Sequence, residues 1–146
     1  MEYAGFWRRF TAYFLDNVIL AFAELVFLFV LGLVLQLTGI TDSINKDETS
    51  QIIAGTFLLI LIIIVNWLYF SLMESSKFQA TVGKIALNIK VVDYEGKKIS
   101  FKLATIRYFS KLLSALILFI GFFMAGFTKR KQALHDLIAK TTVIKN

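Results

Sequence analysis

The chain has 146 residues, enough for one domain, and 58% of them are hydrophobic, against roughly 45–50% in ordinary soluble domains. This composition predicts a membrane protein. The chain lacks cysteine, which excludes a disulfide framework, a thiol nucleophile and a cysteine metal site. The net charge of +6 is segregated between apolar runs, a pattern typical of membrane topology and contact with anionic lipid headgroups, and not of nucleic-acid binding.

The first apolar segment covers about residues 14–37, long enough to cross a hydrocarbon core that needs roughly 20 helical residues. Arg9 and Asp16 flank its start and are seven residues apart. In a helix this spacing places them on one face, about 10 Å apart along the axis. Because Asp16 and Glu24 interrupt the run, and because it is longer than a signal-peptide core, we interpret it as a retained transmembrane helix.

A second apolar segment, about residues 52–72, is the clearest predicted span, with Trp67 and Tyr69 suited to the membrane interface. The preceding loop, residues 38–51, has one lysine and three acidic residues. The region after the span, residues 73–108, has seven basic residues and three acidic ones. The positive-inside rule therefore places the N-terminus and the second region in the cytoplasm.

The polar region also has strand character. Residues 86–101 alternate apolar and polar side chains on either side of a turn signal at 94–97, which predicts a small β-hairpin on the cytoplasmic face. Residues 141–144 are β-branched and could supply a third strand, since an isolated hairpin is only marginally stable.

A third apolar segment, about residues 106–127, is interrupted by Lys111 and contains Gly121 and Gly126. A full third span would place the basic residues that follow it outside, against the positive-inside rule. We therefore favour a re-entrant or interfacial segment broken near Gly121. The predicted fold is an all-α, multi-pass inner-membrane protein with a single domain over residues 1–146. It has two transmembrane helices, this third segment, the cytoplasmic β-hairpin, and both termini in the cytoplasm.

Two sets of polar residues in or beside the spans are candidates for function. For Arg9 and Asp16, the functional interpretation is a charge pair or a protonatable carboxylate near the cytoplasmic end of the membrane. In the structural interpretation, Arg9 anchors the first helix in the headgroups and Asp16 packs it against a partner helix. Both stay open, since intramembrane acids mark function by default but structural pairs exist. Glu24 is expected near the midplane, either as a proton carrier or as a neutral hydrogen-bond donor between helices. Asn66 of the second segment is its candidate partner.

Other chemistry finds little support. A single histidine, His135, with no cysteine makes a poor metal site, so we expect no metal and no cofactor. Residues 79–84 resemble a phosphate-binding loop only faintly, because the first glycine is missing, and a turn is the simpler interpretation. Neither a nucleophile triad nor a carboxylate pair suggests hydrolysis, so we expect no enzyme.

Several segments, in this order, nevertheless resemble one family. The opening residues 4–16, the middle segment 78–84 with 91–93 and 95–97, and the pieces 107–108 and 132–139 together are similar to the RDD family of small prokaryotic membrane proteins. That family is named for an arginine and two aspartates, which the resemblance assigns to Arg9, Asp16 and Asp136. Phe78 and Lys140 depart from it, because each stands where a glycine is expected.

The resemblance implies a membrane fold and, for function, transport of ions or small ligands, with cation/proton exchange as one case. We hypothesise that Arg9, Asp16 and Asp136 form one cytoplasmic cluster. Two spans enclose too little volume for a pore, so transport would require a homo-oligomer in which Asp16, either alone or with Glu24, exchanges a proton for a cation. The alternative is a membrane anchor or lipid-binding scaffold that docks a partner protein.

Overall fold

In the computed structural model, residues 1–45, 47–116, 128 and 131–146 are described. Most of them are helical, and two short strands form a sheet. The elements in chain order are α1 (Phe6–Leu37), α2 (Ile40–Ile44), α3 (Glu48–Ser75), α4 (Val82–Ala86), β1 (Ile89–Asp93), α5 (Phe101–Leu116), α6 (Leu134–Ile138) and β2 (Thr141–Lys145).

The two long helices contain the predicted spans and extend beyond them. Helix α1 has 32 residues and α3 has 28, so at 1.5 Å per residue they are about 48 and 42 Å long. Both exceed the roughly 30 Å of a hydrocarbon core. Helix α1 begins at Phe6, ahead of the apolar run that starts near residue 14, and therefore includes both Arg9 and Asp16, as their predicted position on one helix face requires.

The described chain divides into two compact units. Unit one comprises Met1–Asn17 and Trp67–Asn146, and unit two comprises Val18–Asn66. Unit two contains the apolar lengths of α1 and α3, and most of its large apolar side chains are exposed, including Phe22 and Phe29. In water these side chains would be costly to expose, whereas lipid accommodates them, and this is the pattern of membrane-spanning helices.

The sheet of unit one pairs distant parts of the chain. Strands β1 and β2 are antiparallel, with Val91 opposite Val143. The N-terminal residues pair with the other side of β2. There the amide of Ala4 donates to the carbonyl of Val143 at 3.0 Å, and the backbone amide of Lys145 donates to the carbonyl of Glu2 at 2.8 Å. The C-terminal strand is therefore held between β1 and the first residues of the chain.

This pairing corrects the predicted hairpin at residues 86–101. The turn forms as expected, with Gly96 at φ +81° and the Asp93 carboxylate accepting the amides of Glu95 and Lys97, both at 2.8 Å. The chain does not return as a strand, and α5 begins at Phe101 instead. The apolar, β-branched segment at the C-terminus takes the place beside β1 and buries its side chains.

The hydrophobic core of unit one lies where the sheet, the start of α1 and the start of α5 meet. Its buried members are mostly small or β-branched: Ala4, Ala12, Ile89, Val91, Ile99, Ala104 and Val143. The small alanines allow helices and strands to approach closely. Helix α5 covers the beginning of the predicted third apolar segment, and the predicted break near Gly121 lies outside the described residues.

Candidate functional site

Arg9, in the second turn of α1, connects three elements of unit one. Its guanidinium pairs with Asp136 of α6, and its Nε donates to the carbonyl of Ala4 at 3.0 Å. Its second terminal nitrogen lies 3.3 Å from the carbonyl of Val143 in β2. Arg9 therefore joins the first helix to the C-terminal part of the chain through both backbone and side-chain acceptors.

Asp136 is fully buried at the start of α6, where it receives two guanidinium groups. Besides Arg9, Arg107 of α5 donates to its Oδ1 at 2.5 Å. Its other oxygen accepts the amide of Ala133 at 3.1 Å, which satisfies one of the amides left open at the N-terminus of this short helix. The carboxylate thus has a charged or backbone donor on each oxygen.

A second carboxylate, Glu74 near the end of α3, extends this arrangement. It accepts the Nε of Arg107 at 3.0 Å, pairs with Lys84 of α4, and lies 3.5 Å from the Nζ of Lys111. Arg107 therefore bridges Glu74 and Asp136. We call these residues the buried ion network: Arg9, Glu74, Lys84, Arg107, Lys111 and Asp136.

The buried ion network contains more positive than negative charge. Four cations share two carboxylates, and the aromatic ring of Phe70, 4.5 Å from the Nζ of Lys111, gives partial compensation. The chain has ten acidic residues, and none falls on an undescribed position. Of the others in unit one, Glu2 and Glu95 pair with lysines elsewhere, and Asp93 and Asp16 accept hydrogen bonds from uncharged donors. The excess is thus a property of the network.

Asp16 has a separate set of partners. Its Oδ1 accepts the hydroxyl of Tyr69 at 2.8 Å and the amide of Gly83 at 2.7 Å, and its Oδ2 accepts the hydroxyl of Thr81 at 2.5 Å. The structure thus brings Arg9 and Asp136 into contact, while Asp16 is held by three uncharged donors from α3 and the α4 region.

Gly83 permits this arrangement because the backbone of α4 lies directly against α1. A Cβ built on Gly83 would stand 2.2 Å from the carbonyl oxygen of Ala12 and 3.0 Å from the carboxyl carbon of Asp16. Only glycine fits at such a distance. The stretch that resembled a phosphate loop therefore serves a different purpose: its Thr81 and Gly83 hold Asp16, and its Lys84 pairs with Glu74.

Glu74, Lys84 and Arg107 were missed as site residues. Arg107 was noted only as part of the family pattern, and Glu74 only as a charge of a polar region. Lys84 was noted only within the stretch 79–84, as part of a faint phosphate-loop resemblance and of the family pattern. A usable signal was present: Glu74 follows the second apolar run directly, and Arg107 and Lys111 are four residues apart on α5, hence on one face. Charges adjoining apolar runs on one face require partners when those faces become buried.

The electrostatic environment affects both ionisable groups at the start of α6. Burial alone would raise the pKa of Asp136, but the Arg107 guanidinium, with smaller contributions from His135 and Arg9, holds it well below the ordinary value. Burial, reinforced by the nearby cations, lowers the pKa of His135 from 6.5 to about 3, despite the opposing effect of Asp136. His135 is therefore neutral and Asp136 is ionised at neutral pH.

Glu24 and Asn66, which the sequence predicts as candidate partners, form a polar pair in unit two. The side-chain amide of Asn66 donates to Glu24 Oε1 at 2.6 Å, and the same nitrogen lies 2.9 Å from the carbonyl of Ile62. Glu24 lines a pocket of about 350 Å³ whose other walls are apolar. Within the described ranges, no group of three or more potential metal ligands occurs.

Two of the described helices, α1 and α3, are long and apolar enough to cross a membrane, and almost none of the residues in their most apolar windows are buried by protein. These features define a small helical membrane protein. The profile of the RDD family matches residues 3–140, and the chain belongs to the RDD family. The resemblance seen in the motifs is thereby confirmed.

Two relatives from Bacillus subtilis (strain 168) align with almost the entire chain. The uncharacterized protein YxaI is 35% identical over 146 residues, covering 97% of this chain and 96% of the relative. The uncharacterized membrane protein YteJ is 30% identical over 149 residues, covering 97% of this chain and 80% of the relative. No solved structure matches the chain.

Proposed function

We propose that the protein is a non-enzymatic transporter that exchanges a cation for a proton as a homo-oligomer, with Glu24 as the exchanging carboxylate. The observation that carries this proposal is the Glu24–Asn66 pair within the apolar helices of unit two. Glu24 is 18 residues from the start of α1 and 13 from its end, hence about 27 and 20 Å from them. An ionisable residue this far inside a span marks function by default.

Asp16, the other carboxylate predicted for exchange, is bound differently. Three donors hold it in a fully buried position, so releasing it for a cation would leave those donors unpaired. Glu24 is partly exposed, and among the described residues its side chain has one such partner, Asn66. We therefore assign Asp16 to the structure of unit one and Glu24 to exchange.

The exchange requires only one carboxyl group. In one state the carboxyl of Glu24 holds a proton, and in the other the proton has left to water on one side and the cation pairs with the carboxylate. One carboxylate holds either of these charges but not both at once. Two helices per chain enclose no continuous path, so more than one copy is needed.

We further propose that both termini lie on the cytoplasmic side of a cell membrane. Support comes from the hydrogen bonds between β2, β1 and the first residues, because segments that pair directly lie on the same side. Strands β1 and β2 lie on the same side if the chain between them crosses the membrane an even number of times or not at all. A re-entrant segment meets this condition, whereas a single third span does not. The basic residues of unit one favour the cytoplasm.

The test is proton-coupled cation flux in proteoliposomes. We expect flux in the wild type, its loss in Glu24→Gln with the fold retained, and activity in Asp16→Asn provided that variant folds. Glu95→Gln is the matched control, since Glu95 lies on the exposed turn of unit one and pairs with Lys97, which is equally exposed. Undiminished flux in Glu24→Gln would show that Glu24 is not the exchanging carboxylate. The absence of flux in the wild type would contradict the transport proposal itself.

One observation favours a second candidate, a membrane anchor that binds anionic lipid and presents unit one to a partner protein. The buried ion network has two more cations than carboxylates, and an anionic headgroup at its edge would offset this excess. We expect phosphatidylglycerol to raise the thermal stability of the detergent-solubilised protein more than phosphatidylcholine does. An equal effect of both lipids would count against this role.

A further inference from the structure

We propose that the pocket of unit two binds an organic cation with an apolar body, whose positive charge pairs with Glu24. This inference rests on the proposed function and deepens it, because it names the substrate class. It begins from the chemistry of the pocket walls. Glu24 is the one ionisable side chain among the described lining residues, and the others are all apolar: Leu20, Ala23, Phe27, Leu61, Ile62 and Val65.

These walls do not suit a metal ion. Hard cations such as Ca²⁺ and Mg²⁺ take about six or more oxygen ligands, from carboxylates, carbonyls or water. The pocket lining offers one carboxylate. Asn66 adds no oxygen on that side, because its amide nitrogen points to Glu24 and to the carbonyl of Ile62, and these two acceptors fix the orientation of the amide. A hydrated ion would keep its water outside such an apolar pocket.

An organic cation suits both features of the pocket, its single carboxylate and its apolar walls. Its charge replaces the proton at Glu24, and its apolar surface replaces lipid against the walls, so that no hydration shell has to be supplied by the protein. The volume of about 350 Å³ lies within the range of small-molecule sites. Phe27 adds an aromatic ring, a favourable neighbour for a cation.

The test measures equilibrium binding of tetraphenylphosphonium to the protein in nanodiscs of zwitterionic lipid. Tetraphenylborate, which has nearly the same size and shape but the opposite charge, is the probe of charge recognition. Empty nanodiscs of the same lipid measure how much of each ion partitions into the bilayer, where the dipole potential favours the anion. After this partitioning is subtracted, we expect the phosphonium to bind the wild type at least tenfold more tightly than the borate does. Equal binding of the two ions would show that charge is not recognised and would overturn the inference, without the need for any variant.

Two variants then assign the binding to this pocket. Glu24→Gln should weaken phosphonium binding at least tenfold and abolish its competition with protons as the pH is lowered. Glu48→Gln is the control, because Glu48 belongs to the same unit but lies in the first turn of α3, away from the pocket lining. Unchanged affinity in a folded Glu24→Gln variant would place the cation elsewhere.

The main competing occupant of the pocket is a second copy of the chain. Because the protein has no cysteine, Ala23→Cys places a single thiol at the pocket wall. Efficient disulfide-linked dimers of this variant, together with no phosphonium binding by the wild type, would assign the pocket to the dimer contact and overturn the inference. Phosphonium binding that suppresses the cross-link is the expected result.

Binding and flux separate this inference from the proposed function. Phosphonium bound at Glu24 without any flux would contradict transport and leave the binding site in place. Flux of sodium or potassium in a protein that does not bind the phosphonium would support cation/proton exchange. It would contradict the assignment of an organic cation as the substrate. Flux of the phosphonium itself, coupled to protons and lost in Glu24→Gln, would support both.

Discussion

Replacing Asp136 with asparagine tests whether the buried ion network holds unit one together. Asp136 is one of the two carboxylates that pair with the four cations of the network. It accepts hydrogen bonds from Arg9, Arg107 and the amide of Ala133. Asp136→Asn keeps the shape but raises the excess positive charge of the network from two to three. Removing one partner of a buried ion pair costs roughly 3–5 kcal/mol, and we expect a loss of unfolding free energy in this range.

The charge count also predicts how a second substitution acts. Arg9→Gln lowers the excess from two to one, and its combination with Asp136→Asn restores the wild-type excess of two. We therefore expect the double variant to be more stable than Asp136→Asn alone, with a coupling of about 0.5–3 kcal/mol between the sites. The exposed pair of Glu95 and Lys97 provides the control, and Glu95→Gln should change stability by less than about 1 kcal/mol.

Chemical unfolding in detergent, followed by tryptophan fluorescence, measures these differences. Trp67 is a suitable reporter, because its indole nitrogen donates to Thr105 of α5 at 3.2 Å within unit one. Equal losses in Asp136→Asn and Glu95→Gln would refute the idea that the network is stabilising. Strictly additive losses in the double variant would refute the charge-balance argument while leaving the individual contacts intact.

Three further predictions concern unit one. Gly83→Ala should lower the unfolding free energy by about 1–3 kcal/mol or more, because its methyl group would overlap the Ala12 carbonyl, whereas Gly55→Ala meets no atom within 4 Å and should be neutral or slightly stabilising. Lys140→Gly should raise the unfolding free energy by about 1 kcal/mol, because Lys140 adopts φ +52° after α6, a conformation that glycine adopts without strain. An unchanged melting temperature would contradict this. Between pH 6.5 and about 4, unfolding should become easier by up to about 1 kcal/mol per pH unit, because an unfolded histidine takes up a proton while the folded-state pKa of His135 is about 3. His135→Gln should remove the part of this pH dependence that lies above about pH 5, leaving the loss at lower pH that follows from protonation of the network carboxylates, among them Asp136 with its lowered pKa.

The departures from the family pattern show how far motifs predict backbone conformation. Lys140 stands where a glycine was expected, and the structure places it in the left-handed region that glycine adopts without strain. Phe78 also replaces an expected glycine, but the left-handed residue is its neighbour Gln79, at φ +54°. Local motifs therefore indicate where the chain turns, within one residue, and do not specify which residue carries the strain.

The amino-acid sequence by itself determined the membrane class, the two long helices and the pairing of Glu24 with Asn66. These follow from local patterns: apolar runs long enough to span a bilayer, and polar residues placed at similar depths along them. The family followed from the order of several short motifs over the whole chain. None of these conclusions depended on knowing which distant segments touch.

The tertiary structure alone decided the partners of the charged residues and of the strands. Asp16 and Asp136 were predicted in one cluster with Arg9, yet Asp16 is held by the α4 region and Asp136 by two arginines. Strand β1 pairs with the C-terminus rather than within a hairpin. Such choices depend on which buried groups can satisfy one another once distant segments come together, and that competition has no local signature in the sequence.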